Sequence, residues 1–200
     1  MKRDKNNFLL IVGILLLAGL LIIDQGIAAE TYQIDPVHSS VGFSVKHLTV
    51  STVTGEFRDF SGTIQFDPVN PAAFMAEANI KAASIDTRQP KRDEHLRSAD
   101  FFDAEHNPQI TFKSNTIKKT DAGYEIVGDL TIRGTTKQVA IPVTISDPVK
   151  TPQGNEVIGL EGGLTINRQD YGVSWNQTAD NGAIAGNEVK ITIEIEAKKT

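Results

Sequence analysis

From Val41 to the last residues of the chain, apolar side chains recur at every second position, and this period constrains the fold more than any other feature. Val41, Phe43, Val45 and His47 alternate with Gly42, Ser44, Lys46 and Leu48; Val189, Ile191, Ile193 and Ile195 alternate with Lys190, Thr192, Glu194 and Glu196. A period of two puts each set on one face of an extended strand, so these segments read as half-buried β-structure. The same pattern runs through 124–132, 139–145 and 158–166, and shorter strands read at 49–60, 62–67, 77–83 and 110–113. Gly55 marks a bend, Asp67-Pro-Val-Asn-Pro71 a stop followed by a helical turn, and Arg133-Gly134 a tight turn. Pro142 cannot donate to a ladder and implies an edge or a bulge. Gly159, Gly162 and Gly163 imply a strongly curved strand.

One segment breaks the pattern. Arg92-Asp-Glu-His-Leu-Arg-Ser-Ala-Asp-Phe-Phe-Asp103 follows Pro90, which suits a first helical turn, and Asp93 and Glu94 place negative charge at the positive end of the helix dipole. The spacing predicts a short helix near residues 90–98 that ends by delivering Phe101 and Phe102 to a buried site. About eight mostly sequential strands with one helical interruption predict an all-β antiparallel fold, and closure into an eight-stranded barrel is expected because a flat sheet would leave long edges. Eight strands leave an interior just wide enough for a small ligand.

The N-terminus has its own composition. Lys2, Arg3 and Lys5 precede an apolar run from Phe8 to Ile23, and Ala28 and Ala29 supply small residues for cleavage, so 1–29 is expected to be a signal peptide, with an uncleaved anchor as the alternative. The exported domain would then be 30–200. Losing three cations and two anions takes the net charge from −5 to −6. An acidic domain without a run of basic residues argues against nucleic-acid binding. The chain has no cysteine, which excludes disulfides, thiol catalysis and a lipid-modified N-terminal Cys.

The ordered motifs Asp35-x-x-His38-Ser39, Phe43-x-Val45-x-His47-Leu48, Gly55-x-Phe57-x-x-Phe60-x-Gly62, Arg92-Asp93-x-His95-Leu96-Arg97-Ser98-x-Asp100-Phe101-Phe102-Asp103, Pro108-x-Ile110-x-Phe112, Leu130-Thr-Ile-Arg-Gly134 and Asn167-Arg168-x-Asp170-Tyr171-Gly172 closely resemble the YceI-like family across nearly all of the exported part. Tyr171 stands where that pattern carries Phe. The resemblance implies a lipocalin-like barrel, exported to the periplasm, that binds a polyisoprenoid, quinone-like or fatty-chain lipid and is not an enzyme. It implies no cofactor beyond that ligand and a soluble domain, with membrane-surface contact and a homodimer both left open.

The candidate ligand wall is Phe43, Val45, Phe57, Phe60, Phe66, Phe101, Phe102, Ile110, Phe112 and Trp175, and the candidate polar contacts at the mouth are His38, His95 and Arg97. Arg92, Arg97 and Arg168 are suited to pairing with Asp100, Asp103 or Asp170, which would lock the helix over one barrel end. His38, His47, His95 and His106 have no metal-motif spacing, so structural roles are expected for them and no metal. Two alternatives stay open. One is a hydrolase or isomerase in which His38, His95 and nearby carboxylates converge; the other is a solid-cored envelope protein that protects without a ligand.

Overall fold

The computed structural model describes residues 29–179 and 182–200. All of the expected leader but Ala29 therefore lies outside the described residues. The strands are β1 (Glu30–Ile34), β2 (Ser40–His47), β3 (Ser51–Phe57), β4 (Phe60–Phe66), β5 (Met75–Lys81), β6 (Ile85–Asp86), β7 (Gln109–Thr120), β8 (Gly123–Ile132), β9 (Thr135–Ile145), β10 (Val149–Lys150), β11 (Glu156–Asn167), β12 (Thr178–Ala179), β13 (Gly182–Ala183) and β14 (Ala185–Lys199), with one helix, α1 (Pro90–Arg97), between β6 and β7. Among the described residues no helix is long and apolar enough to cross a membrane.

All strand pairings are antiparallel, and once strands in line are joined into staves, the staves neighbour one another in chain order. The first two staves are each made of two strands in line. β1 and β2 lie end to end against β14, and β3 and β4 continue the next stave, broken only at Arg58 and Asp59. Then come β5, β7, β8, β9, β11 and β14, and β14 pairs with β11 from Glu188 to Lys198 while also pairing with β1 and β2, which closes an eight-stave barrel. Closure satisfies the edge groups that a flat sheet of this length would expose.

The predicted strand over 77–83 ends early, because Ala82–Ser84 tighten into a 3-10 turn that redirects the chain toward α1. Pro142 lies inside β9 opposite Glu125, with no bulge; its other flank falls just beyond the short ladder of Val143–Ile145 on β11, so the edge it implied is a local one. Arg133 and Gly134 form the β8–β9 turn with φ of 48° and 71°, and glycine takes the second position without a Cβ penalty.

The interior is packed unevenly along the barrel axis. At the end holding β14's C-terminus, Tyr32, Ile158, Phe66 and Ala197 are at most 2% exposed. Phe66 packs edge-on against both Phe74 and Tyr124 there. A second buried cluster sits at the other end, where Phe57, Ile85, Phe101, Leu130, Tyr171 and Val173 meet beneath α1. Between the two, lining residues such as Val41, Phe43, Leu164, Ile166 and Ile191 are only half-buried. They stay accessible because they face a void.

Candidate ligand cavity

That void is a cavity of about 400 Å³ running from Leu160, Ile193 and Ile195 near the packed end to His47, Ile184 and Ala185 at the lid end. Every stave contributes apolar side chains to it, because alternation turns the same face of each strand inward. On β14 alone the wall extends from Ala185 to Ile195, roughly 33 Å of strand at the usual rise per residue.

The lid is built around α1. Gln89 caps it by accepting a hydrogen bond from the Arg92 N–H at 2.7 Å, Pro90 fixes its first turn, and the buried carboxylate of Asp93 accepts from the N–H and hydroxyl of Thr87. The chain then turns through Ser98 and lays Phe101 down under His95 and Trp175. The three rings form a cluster with centroids 4.9–5.0 Å apart. Phe102 goes the other way and packs edge-on against Phe57, which meets Phe43. Arg133 straps the lid down, donating to the carbonyl of Ala99 and to that of Gly172, both at 2.7 Å.

Most of the candidate wall lines this cavity: Phe43, Val45, Phe57, Phe60, Phe101, Phe102, Ile110, Phe112 and Trp175, with His95 at the lid. Phe66 does not, because its ring plugs the packed end. His38 is also away from the cavity, with Nδ1 2.7 Å from Asp35 and 3.7 Å from Glu196. Arg97 turns from the interior to donate to the carbonyls of Ala83 and Ile85, both at 2.7 Å.

The expected arginine–carboxylate locks are replaced by arginine–carbonyl locks. Arg92 donates through Nε to the Thr87 hydroxyl and through Nη2 to its carbonyl. Arg168, 6% exposed, donates to the carbonyls of Gly186, Val173, Trp175 and Ala185 and to Asn187 Oδ1. Val173 and Trp175 lie in a loop, and Ala185 and Gly186 lie where the β14 ladder shifts register; a five-donor guanidinium satisfies several such carbonyls at once. Burial pushes the Arg168 guanidinium below its ordinary pKa. Sequence reasoning did not place Arg168 on the ligand wall or anticipate the Arg133 strap; no local pattern in the sequence signals a contact made to distant carbonyls.

The histidines do not converge. His95 Nε2 lies 2.9 Å from Asp100, and His106 Nδ1 lies 2.8 Å from Asp103, whose carboxylate raises the imidazole's pKa. Among the described residues, Asp35, His38 and Glu196 are the one group with metal-ligand spacing. The ammonium of Lys198 already pairs with Asp35 there.

Residues 32–197 match the YceI-like domain. A UPF0312 protein of Serratia proteamaculans is 36% identical over 184 residues, covering 90% of this chain and 93% of that protein. Among solved structures, Burkholderia cenocepacia BcnA superposes with a TM-score of 0.73 at 29% identity, covering 82% of this chain and 98% of that one. A polyisoprenoid binding domain from Saccharophagus degradans, implicated in plant cell wall breakdown, shares the fold with a TM-score of 0.61 at 15% identity, covering 84% and 98%.

Proposed function

Since this chain belongs to the YceI-like family, we propose that it is an exported binding protein that takes the hydrocarbon chain of a polyisoprenoid, quinone-like or fatty lipid into its barrel. The observation that carries this reading is the cavity: about 400 Å³, reaching from the packed end to the residues under the lid and walled almost wholly by aliphatic and aromatic side chains. Burying one methylene there contributes about 0.8 kcal/mol, so a long tail binds with few polar contacts and with loose selectivity for chain type. The tail lies along β14 toward Ile195, and the head stays near His95 and Trp175. The wall residues Phe43, Val45, Phe57, Phe60, Phe101, Phe102, Ile110 and Phe112 act as contact surface.

The fold shared with the polyisoprenoid binding domain of Saccharophagus degradans fits this reading. So does the separation of His38 from His95, since a hydrolase or isomerase would need them at one site. The basic, apolar and small-residue order of the leader supports delivery to the periplasm. Organic extraction of the protein purified from its native host, followed by mass spectrometry, tests the proposal. A stoichiometric long-chain lipid is expected; an extract without lipid, from a protein that also fails to take up added polyprenol, would overturn it.

A further inference from the structure

We propose that the ligand's head is anionic, a carboxylate or phosphate ester drawn to the lid end by the charges of Arg92 and Arg168. This deepens the lipid-binding reading and rests on it. The titratable residues on the cavity wall are Lys46, His47, Glu77, Arg92, His95, Arg168 and Tyr171. The one carboxylate among them, Glu77, is already neutralised by Lys113 at 2.8 Å. The arginines are not neutralised in this way.

Arg168 is the stronger case. It is 6% exposed, five oxygens of neutral groups accept its donors, and among the described residues no carboxylate lies within ion-pair distance. A guanidinium stays protonated even when burial disfavours its charge. A buried cation without a counter-ion is costly, and an anion brought beside it recovers part of that cost. Since its hydrogen bonds are committed, Arg168 acts on the head through its field. Arg92 offers the direct contact. Thr87 takes its Nε and Nη2, while Nη1 makes no hydrogen bond among the described residues.

Of the carboxylates near the two arginines in sequence, Asp93 accepts from Thr87 and Asp100 pairs with His95, while Glu94 and Asp170 are exposed to solvent. The whole chain carries a net charge of −5, so this attraction is local to the mouth and does not steer ligands from a distance.

The test uses two pairs of ligands with matched tails on the delipidated protein: a polyprenyl monophosphate against the same polyprenol, and palmitate against hexadecanol. Binding is read by the fluorescence of Trp175, the chain's single tryptophan, and by native mass spectrometry. At neutral pH and low salt each anion should bind at least tenfold more tightly than its alcohol, and within the Arg92→Gln variant the ratio of anion to alcohol affinity should fall at least threefold; an unchanged ratio in that variant would overturn the role of Arg92. A preference in one pair only would assign the head to that anion. Equal or tighter binding of both alcohols would overturn the anionic head and leave the lipid reading standing. Failure of all four ligands would overturn both. Because Arg168→Gln can unfold the loop it organises, the comparison on the unmutated protein decides the matter by itself.

Discussion

Phe43 and Gly55 are direct partners across the β2–β3 ladder, and a Cβ on Gly55 would stand 2.5 Å from the Cζ of Phe43. The ring lies over the glycine, and the Thr87 methyl would stand 2.8 Å from the same Cβ. A side chain at position 55 must push the ring into the cavity. Gly55→Val should therefore cost about 1–3 kcal/mol of stability, the usual range for overpacking, and should weaken lipid binding more than Gly55→Ala does. Urea unfolding and ligand titration of the two variants check both effects.

Arg133 holds the lid from outside the cavity. Removing its side chain takes two hydrogen bonds from the Ala99 and Gly172 carbonyls while leaving the wall untouched. Arg133→Ala is expected to cost about 1 kcal/mol, which, if felt mainly in lid opening, makes ligand release about fivefold faster with little change in cavity shape. Stopped-flow displacement of a fluorescent fatty chain measures this. An unchanged release rate would mean that the lid does not gate the ligand.

Two groups give the barrel opposite pH limits. The Lys198 ammonium, the His38 ring and the Val37 N–H hold the Asp35 carboxyl below the usual range. Its folded pKa is depressed, so its contribution is complete above about pH 4, the unfolded value, and is lost as pH falls through the folded one. Burial and the hydrogen bond to Glu156 push the Tyr32 phenol up to about 12. That contribution is complete below about pH 10 and disappears as pH rises toward the folded value. Urea midpoints measured across pH should fall at both extremes. Asp35→Asn should flatten the acid side, and Tyr32→Phe the alkaline side.

Asp93 anchors α1 from beneath. Its carboxylate, 5% exposed, satisfies the Thr87 N–H and hydroxyl. Asp93→Ala leaves a buried N–H without its acceptor and should cost about 1–3 kcal/mol. Faster amide exchange at Thr87 and along Pro90–Arg97 would locate the damage at the lid.

Much of this architecture is legible in the alternation. Val189 to Ile195 shows which face of β14 turns inward, and the run of sequential strands points to closure. Alternation does not give the depth of a residue along the barrel axis. Phe66 and Phe112 sit in equivalent patterns, yet one plugs the packed end and the other lines the void. Depth depends on register, which is fixed by the pairing of strands far apart in sequence. Whether the interior is hollow depends on summed side-chain volume, which has no signature in period. The arginine contacts are not legible because carboxylates stand close to them in sequence, whereas the acceptors are mostly backbone carbonyls, some nearby such as Thr87 and Val173 and some distant such as Ala99 and Gly186, and a carbonyl is present at every residue.

The central claim is that the lipid tail occupies the barrel interior. Ile191 lies midway along β14, half-buried, paired with Leu164 on one side and Phe43 on the other, with its side chain on the cavity wall. Ile191→Trp should fill the void with little strain, because the added ring enters empty space. Native mass spectrometry of both proteins with a polyprenyl chain tests the claim most directly. The unmutated protein should carry one chain per barrel, and the variant should be folded and empty. A folded variant that binds the chain as well as the unmutated protein would contradict the account.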